Sequence, residues 1–193
     1  MKKFTYLVIA TAALGMVACT GGNKAGYVVT GTVEGAADGD TVYLQEANGR
    51  NLIKLDTAVI SKGTFTFEGT QDSVVSRYVT CEVNGEPLMI DFFLENGNIT
   101  VALGEENKIG GTANNDTYQQ FKDNFIAMSK EMNDMYRSAM SDSTLTDEQR
   151  ENVMKEIEKK DSIAMDMVFN TIEANITNAV GIQLLPSYAA AFE

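Results

Sequence analysis

The chain predicts a mainly β fold with α elements: an antiparallel β-sandwich or meander of about seven strands, followed by an α-helical hairpin. Three observations carry this. Between Tyr27 and Leu103 apolar and polar residues alternate with period two, interrupted by Gly- and Asn-containing turns. From Tyr118 onward the apolar residues recur three and four apart, the repeat of a helix with one covered face. Between the two lies a polar, glycine-containing junction, 104–114 (GEENKIGGTAN). The resulting division is a leader over 1–18, a tether over 19–26, an antiparallel β domain over 27–104, and a helical hairpin with a C-terminal helical segment over 115–193.

The first 18 residues read as a signal segment. Lys2 and Lys3 form a positive start, Leu7, Val8, Ile9, Ala10, Ala12, Ala13 and Leu14 form the apolar middle, and Met16-Val17-Ala18-Cys19 closes it. A small residue directly before a cysteine at that place is the pattern of a bacterial lipoprotein, so Cys19 is the expected lipidation site. Met16 departs from the leucine usual three residues before such a cysteine. The apolar run is shorter than the roughly 20 residues a spanning helix needs, and Thr20-Gly21-Gly22 follows at once as a flexible tether.

Strands are expected over 27–34, 41–46, 52–60, 64–68, 74–83, 87–95 and 98–103, with short hairpin links at Asn48-Gly49, Asn84-Gly85 and Asn96-Gly97, where Asn and Gly tolerate positive φ. Alternation places Val29, Val33, Val42, Leu44, Ile53, Leu55, Phe65, Phe67, Leu88, Ile90, Phe92, Leu94, Ile99, Val101 and Leu103 in the core. Val75, Val79, Cys81 and Val83 share the buried face of one strand, with Tyr78 and Thr80 on the other. Cys81 is thus expected to be an inert core thiol. Met89 and Phe93, on the face opposite Leu88, Ile90 and Phe92, mark a surface for the helices or a partner to cover.

The first helix carries Tyr118, Phe121, Phe125, Met128, Met132, Met135 and Ala139, with Asn115 or Asp116 as its cap. After the break at 141–145 (SDSTL), Thr146 and Gln149 have the form of a capping box opening a second helix over 147–178. Two such helices joined by a short loop pair as an antiparallel hairpin. Gly181 is expected to end the second helix and Pro186 to begin a last short one.

Composition excludes several functions. Loss of Lys2 and Lys3 with the leader leaves 13 Lys and Arg against 27 Asp and Glu, a net charge of −14, which argues against nucleic acid and against anionic lipid surfaces. The absence of histidine removes the commonest general base and the commonest metal ligand. With Cys19 consumed by lipidation, Cys81 has no disulfide partner. No catalytic residue, cofactor or metal ligand is therefore assigned. Met132 and Met135 have a spacing that could hold copper(I), but their regular helical repeat favours packing. Asp38-Gly39-Asp40 resembles a fragment of a calcium loop and reads better as a turn. The triplets starting at Asp40, Asp56, Asp72, Asp142 and Asp161 have the short form of an O-glycosylation signal, and the lack of tryptophan disfavours a sugar-stacking platform.

The stretches GTVEGAADGDTVYL (31–44), DTAVISKGTFTFEG (56–69) and NAVGIQLL (178–185), behind a lipoprotein leader, are similar to one known arrangement. The chain resembles, from about Tyr27 to Leu185, the domain of unknown function that stands before thioredoxin-like (AhpC/TSA, TlpA-type) domains in disulfide-interchange lipoproteins of Gram-negative anaerobes. In that family the redox-active CxxC lies in the following domain, which this chain lacks, so no catalytic residue carries over. The resemblance implies a truncated or split member, or a free-standing accessory domain acting by binding. The expected protein is a non-enzymatic lipoprotein of the outer membrane, facing the periplasm and held in the bilayer through acylated Cys19. Its expected partner is a protein of a thiol-disulfide system; the alternative is a stand-alone glycan- or peptide-binding lipoprotein.

Overall fold

The computed structural model describes residues 26–192. Eight strands form two four-stranded sheets, and three helices follow. The strands are β1 (Tyr27–Val33), β2 (Thr41–Asn48), β3 (Asn51–Val59), β4 (Phe65–Gly69), β5 (Val75–Val83), β6 (Glu86–Leu94), β7 (Gly97–Leu103) and β8 (Lys108–Gly110). Their orders are β4-β1-β7-β8 in the first sheet and β3-β2-β5-β6 in the second. The mainly β architecture with a helical hairpin is thus the one expected.

Only two pairs within the second sheet are hairpins of consecutive strands closed by the expected Asn/Gly turns. In the β5–β6 hairpin Asn84 and Gly85 both have positive φ, 53° and 85°, the conformation a two-residue turn between right-twisted strands requires. Four links change sheet: β1 leads to β2, β3 to β4, β4 to β5, and β6 to β7 across the sandwich. The Asn96-Gly97 link is one of these crossings rather than the hairpin expected. Asn96 instead ties two crossings together, its Oδ1 accepting from the Gln71 amide at 2.9 Å and its Nδ2 donating to the Gln71 carbonyl at 2.8 Å. Because β7 enters the first sheet at the end where β1 begins, with Gly97 opposite Tyr27, β1 and β7 run parallel, a departure from an all-antiparallel arrangement.

The buried face follows the alternation almost throughout. Val29, Val42, Phe65, Phe67, Val79, Cys81, Phe92, Ile99, Val101 and Leu103 are all buried in one contiguous core. Ile53 and Leu55 overturn the expectation: they are 42% and 45% exposed. The reason is register. Ala58 and Asp56 stand opposite the buried Val42 and Leu44, so Leu55 points to the other face. Ile53 lies beyond that pairing, near the end of a nine-residue strand whose counterpart β4 has five. A bulge between Leu44 and Gln45 further breaks the β2–β3 register. A second correction concerns the junction after Leu103, where β8 pairs with β7, so the sheet runs past residue 104 to Gly110.

The helices are α1 (Ala113–Ser141), α2 (Asp147–Ala174) and α3 (Ala179–Tyr188), with a 3-10 turn at Ala189–Phe192. The capping box at α2 forms as expected: Thr146 Oγ1 accepts from the Gln149 amide at 3.2 Å and Gln149 Oε1 accepts from the Thr146 amide at 2.8 Å. Arg150 reaches back from α2 into the loop, donating to the carbonyls of Ala139, Asp142 and Leu145. That arginine fixes the hairpin bend. Helix α2 stops at Ala174, not at 178, and Gly181 lies inside α3 rather than ending α2. A Cβ at Gly181 would meet the Asn175 carbonyl oxygen at 2.2 Å, so glycine is what lets α3 fold back against the end of α2. Asn178 caps α3 through the Val180 amide, and Pro186 sits within it.

Candidate functional site

Where the helices meet the sandwich, their polar side chains complete its open edges. Asn115, read from sequence as a helix cap, is fully buried instead, and its amide forms a two-way clamp on β6. Oδ1 accepts from the Phe93 amide and Nδ2 donates to the Phe93 carbonyl, both at 2.8 Å, as a neighbouring strand would. Gln119 Oε1 does the same for β8 by accepting from the Ile109 amide at 2.8 Å. Thr112, not Asn115 or Asp116, precedes the helix, and it makes no side-chain capping bond. Phe93 is buried against the Tyr118 ring, centroids 5.2 Å apart, as the helix-covered face predicts, whereas Met89 stays 51% exposed.

One turn along α1, Tyr118 and Lys122 close on Asp91. The Tyr118 hydroxyl donates to Asp91 Oδ2 at 2.7 Å, and Lys122 Nζ lies 3.3 Å from Oδ1 and 4.5 Å above the Tyr118 ring. A groove of about 610 Å³ opens beside them, lined by Met89, Asp91, Lys108, Lys122 and Ile126. Burial and the adjacent Asp91 carboxylate push the Tyr118 phenol well above its ordinary value. A phenol so held stays protonated at neutral pH and has no use as a base. The trio therefore fastens α1 to β6. Nothing in the sequence singled it out, although the four-residue spacing of Tyr118 and Lys122 was visible.

The residues weighed for chemistry fall apart in space. Cys81 is buried, and burial raises its thiol above the ordinary value. Folded protein should therefore resist a thiol reagent at pH 8 and react stoichiometrically once denatured; rapid labelling of the folded state would show that the core is open there. Asp38 Oδ1 and Asp40 Oδ2 accept from the Gly63 and Ala37 amides, the role of turn residues. Among the described residues no group of three or more metal-ligating Asp, Glu, Cys or His forms. Met132 and Met135 are half-buried along the hairpin seam. Lys54 covers the ring of Tyr43 at 3.6 Å, occupying an aromatic face a sugar would need. Cys19 and the leader lie outside the described residues.

A second groove, about 700 Å³, follows the outer half of the hairpin between α1 and α2. Met135, Ala139, Leu145 and Val153 form its floor, and Glu131, Asp134 and Asp142 stand along its sides. Here α1 and α2 pack on each other with no strand beneath.

Comparison with known families bears on only the first of these two regions. Residues 27–118 match a family described as a domain of unknown function, DUF4369. The match covers slightly under half of the chain. It takes in the whole sandwich and the first turns of α1, ending at Tyr118, so that the Asn115 clamp falls inside the DUF4369 segment and the outer hairpin outside it. No curated protein and no solved structure matches the chain.

Proposed function

We propose that this protein is a lipid-anchored accessory module of the outer membrane that faces the periplasm and works by binding rather than catalysis. The leader ending in Met16-Val17-Ala18-Cys19 supports the anchoring. The DUF4369 segment, together with the resemblance to lipoproteins that carry a thioredoxin-like domain, supports an association with a thiol-disulfide system. The observation that carries the binding role is the outer hairpin, whose seam leaves Met128, Met132 and Met135 half-covered beside an apolar groove. Methionine adapts to varied partners, which suits such a surface. No helix among the described residues is long and apolar enough to cross a membrane, so attachment in this reading rests on acyl chains at Cys19.

Fractionation of cells expressing the full-length chain tests it. The unaltered protein should follow the membrane and Cys19→Ala the soluble fraction; an equal distribution overturns the anchoring. Deletion of the gene should shift the redox state of periplasmic thiols, and an unchanged state removes the thiol-disulfide association.

A further inference from the structure

We propose that the groove along the outer half of the hairpin seats a cationic amphipathic helix of a partner protein. This rests on the binding role proposed above and assigns it a site and a partner class.

Two antiparallel helices leave a trough into which a third can lay its apolar face. The trough runs from Ala127 to Asp142 on α1, which at 1.5 Å per residue is about 22 Å, or four turns of an incoming helix. Its floor is apolar and its volume, about 700 Å³, accommodates several large aliphatic side chains. Its cations are already engaged. Lys130 pairs with Asp134 at 2.6 Å, Lys160 with Glu131 at 2.9 Å, and Arg150 is turned into loop carbonyls. The same pairs hold Glu131 and Asp134, and Asp142 accepts from Thr144, so the rim offers an excess of acid rather than free carboxylates: three to one ammonium, Lys130, among the lining residues.

Charge then chooses among occupants. Residues 113–174 hold 13 Asp and Glu against 7 Lys and Arg, a net −6. A second hairpin would bring the same negative charge against this one, and an anionic bilayer would do likewise. A helix with leucines on one face and lysines on its flanks satisfies both floor and rim.

The full-length protein in mild detergent is titrated with an 18-residue Leu/Lys amphipathic peptide and with a control of equal charge in which serine replaces leucine. The leucine peptide should bind at least tenfold more tightly than the control, and more weakly as salt rises. Met135→Lys should reduce its affinity at least tenfold, while Met140→Lys, which is not among the groove residues, should stay within twofold. Circular dichroism checks the fold of each variant; if Met135→Lys unfolds, the surface pair Glu131→Gln with Asp134→Asn is used and should cost at least threefold. Equal binding of the two peptides, or binding unaffected by the groove substitutions, overturns the proposal. So does a doubled mass in sedimentation that Met135→Lys abolishes, which would name a second copy as the occupant. Binding of Cys19→Ala protein to phosphatidylglycerol vesicles through the hairpin would also overturn it. Membrane fractionation is independent of these titrations, so failure here leaves the anchoring testable by itself.

Discussion

The two halves of α1 carry apolar residues at the same three-four spacing, yet they live in different surroundings. In the inner half Asn115, Tyr118 and Phe121 are buried, each against the outer side of β6 or the ends of α2 and α3. In the outer half only Ala139 is buried, while Met128, Met132 and Met135 are half-covered and Met140 is 47% exposed. The pattern along a helix says which face is apolar; it does not say how deep that face lies. Depth came from whether a sheet stood behind the pair of helices. The inner half has one, and the outer half has only its partner helix.

Substitutions should break this contrast if the halves are equivalent and sharpen it if they are not. The largest effect is expected for Ile172→Ala, 1% exposed in the inner part of α2: truncating a core aliphatic there costs about 2–5 kcal/mol, read as a lower midpoint in denaturant. Asn115→Ala should come next. It leaves the Phe93 amide and carbonyl buried without partners and should cost about 2–3 kcal/mol, while Asn115→Asp keeps the acceptor and loses the donor. Met132→Ala in the outer half should cost less than about 1 kcal/mol, since that side chain is already half in water. A cost equal to that of Ile172→Ala would mean that the outer seam is a true core.

Acid should have the smallest effect, and on the hairpin first. Asp123, Asp134 and Asp142 are held below the ordinary carboxylate value of 3.8 by hydrogen bonds from Lys108, Lys130 and Thr144. Groups whose folded value is lowered stabilise the fold above 3.8 and lose that contribution as pH falls through the lowered value. All three are at the surface, so the change is modest. Circular dichroism between pH 7 and 3 should show helical signal weakening below about pH 4. Asp38, bonded to the Gly63 amide, is the corresponding group in the sandwich. Simultaneous loss of the sandwich and the outer hairpin would show that the outer half is held as firmly as the inner.

Much of this was legible beforehand because local rules govern it. Phe65 and Phe67, or Ile99, Val101 and Leu103, alternate because a strand repeats every two residues, and their burial followed. Thr146 and Gln149 formed their box because both partners sit within one turn. The failures share another character. Ile53 and Leu55 obey the same alternation in sequence, but β2 pairs its buried Leu44 with Asp56 and a bulge follows, so the pairing turns Leu55 away from the core and leaves Ile53 uncovered. Asn115 sits where a cap belongs and was recruited by β6, 22 residues away in sequence. Strand β8 is three residues long, too short for any period, and exists because β7 offered it an edge. The outer groove was not legible at all, since it belongs to the relation between two helices.

What the sequence alone determined is the set of local preferences: strand or helix, which face is apolar, where turns and the α2 cap fall, and an acidic charge that holds whatever the fold. Backbone sterics and side-chain period act over a few residues, so they can be read one segment at a time. Tertiary structure decided the rest: the exchange of strands between sheets, the parallel pairing of β1 with β7, the edge completed by Asn115, and the half of the hairpin left open. Those outcomes depend on which distant surfaces arrive to exclude water, and no single segment carries that information.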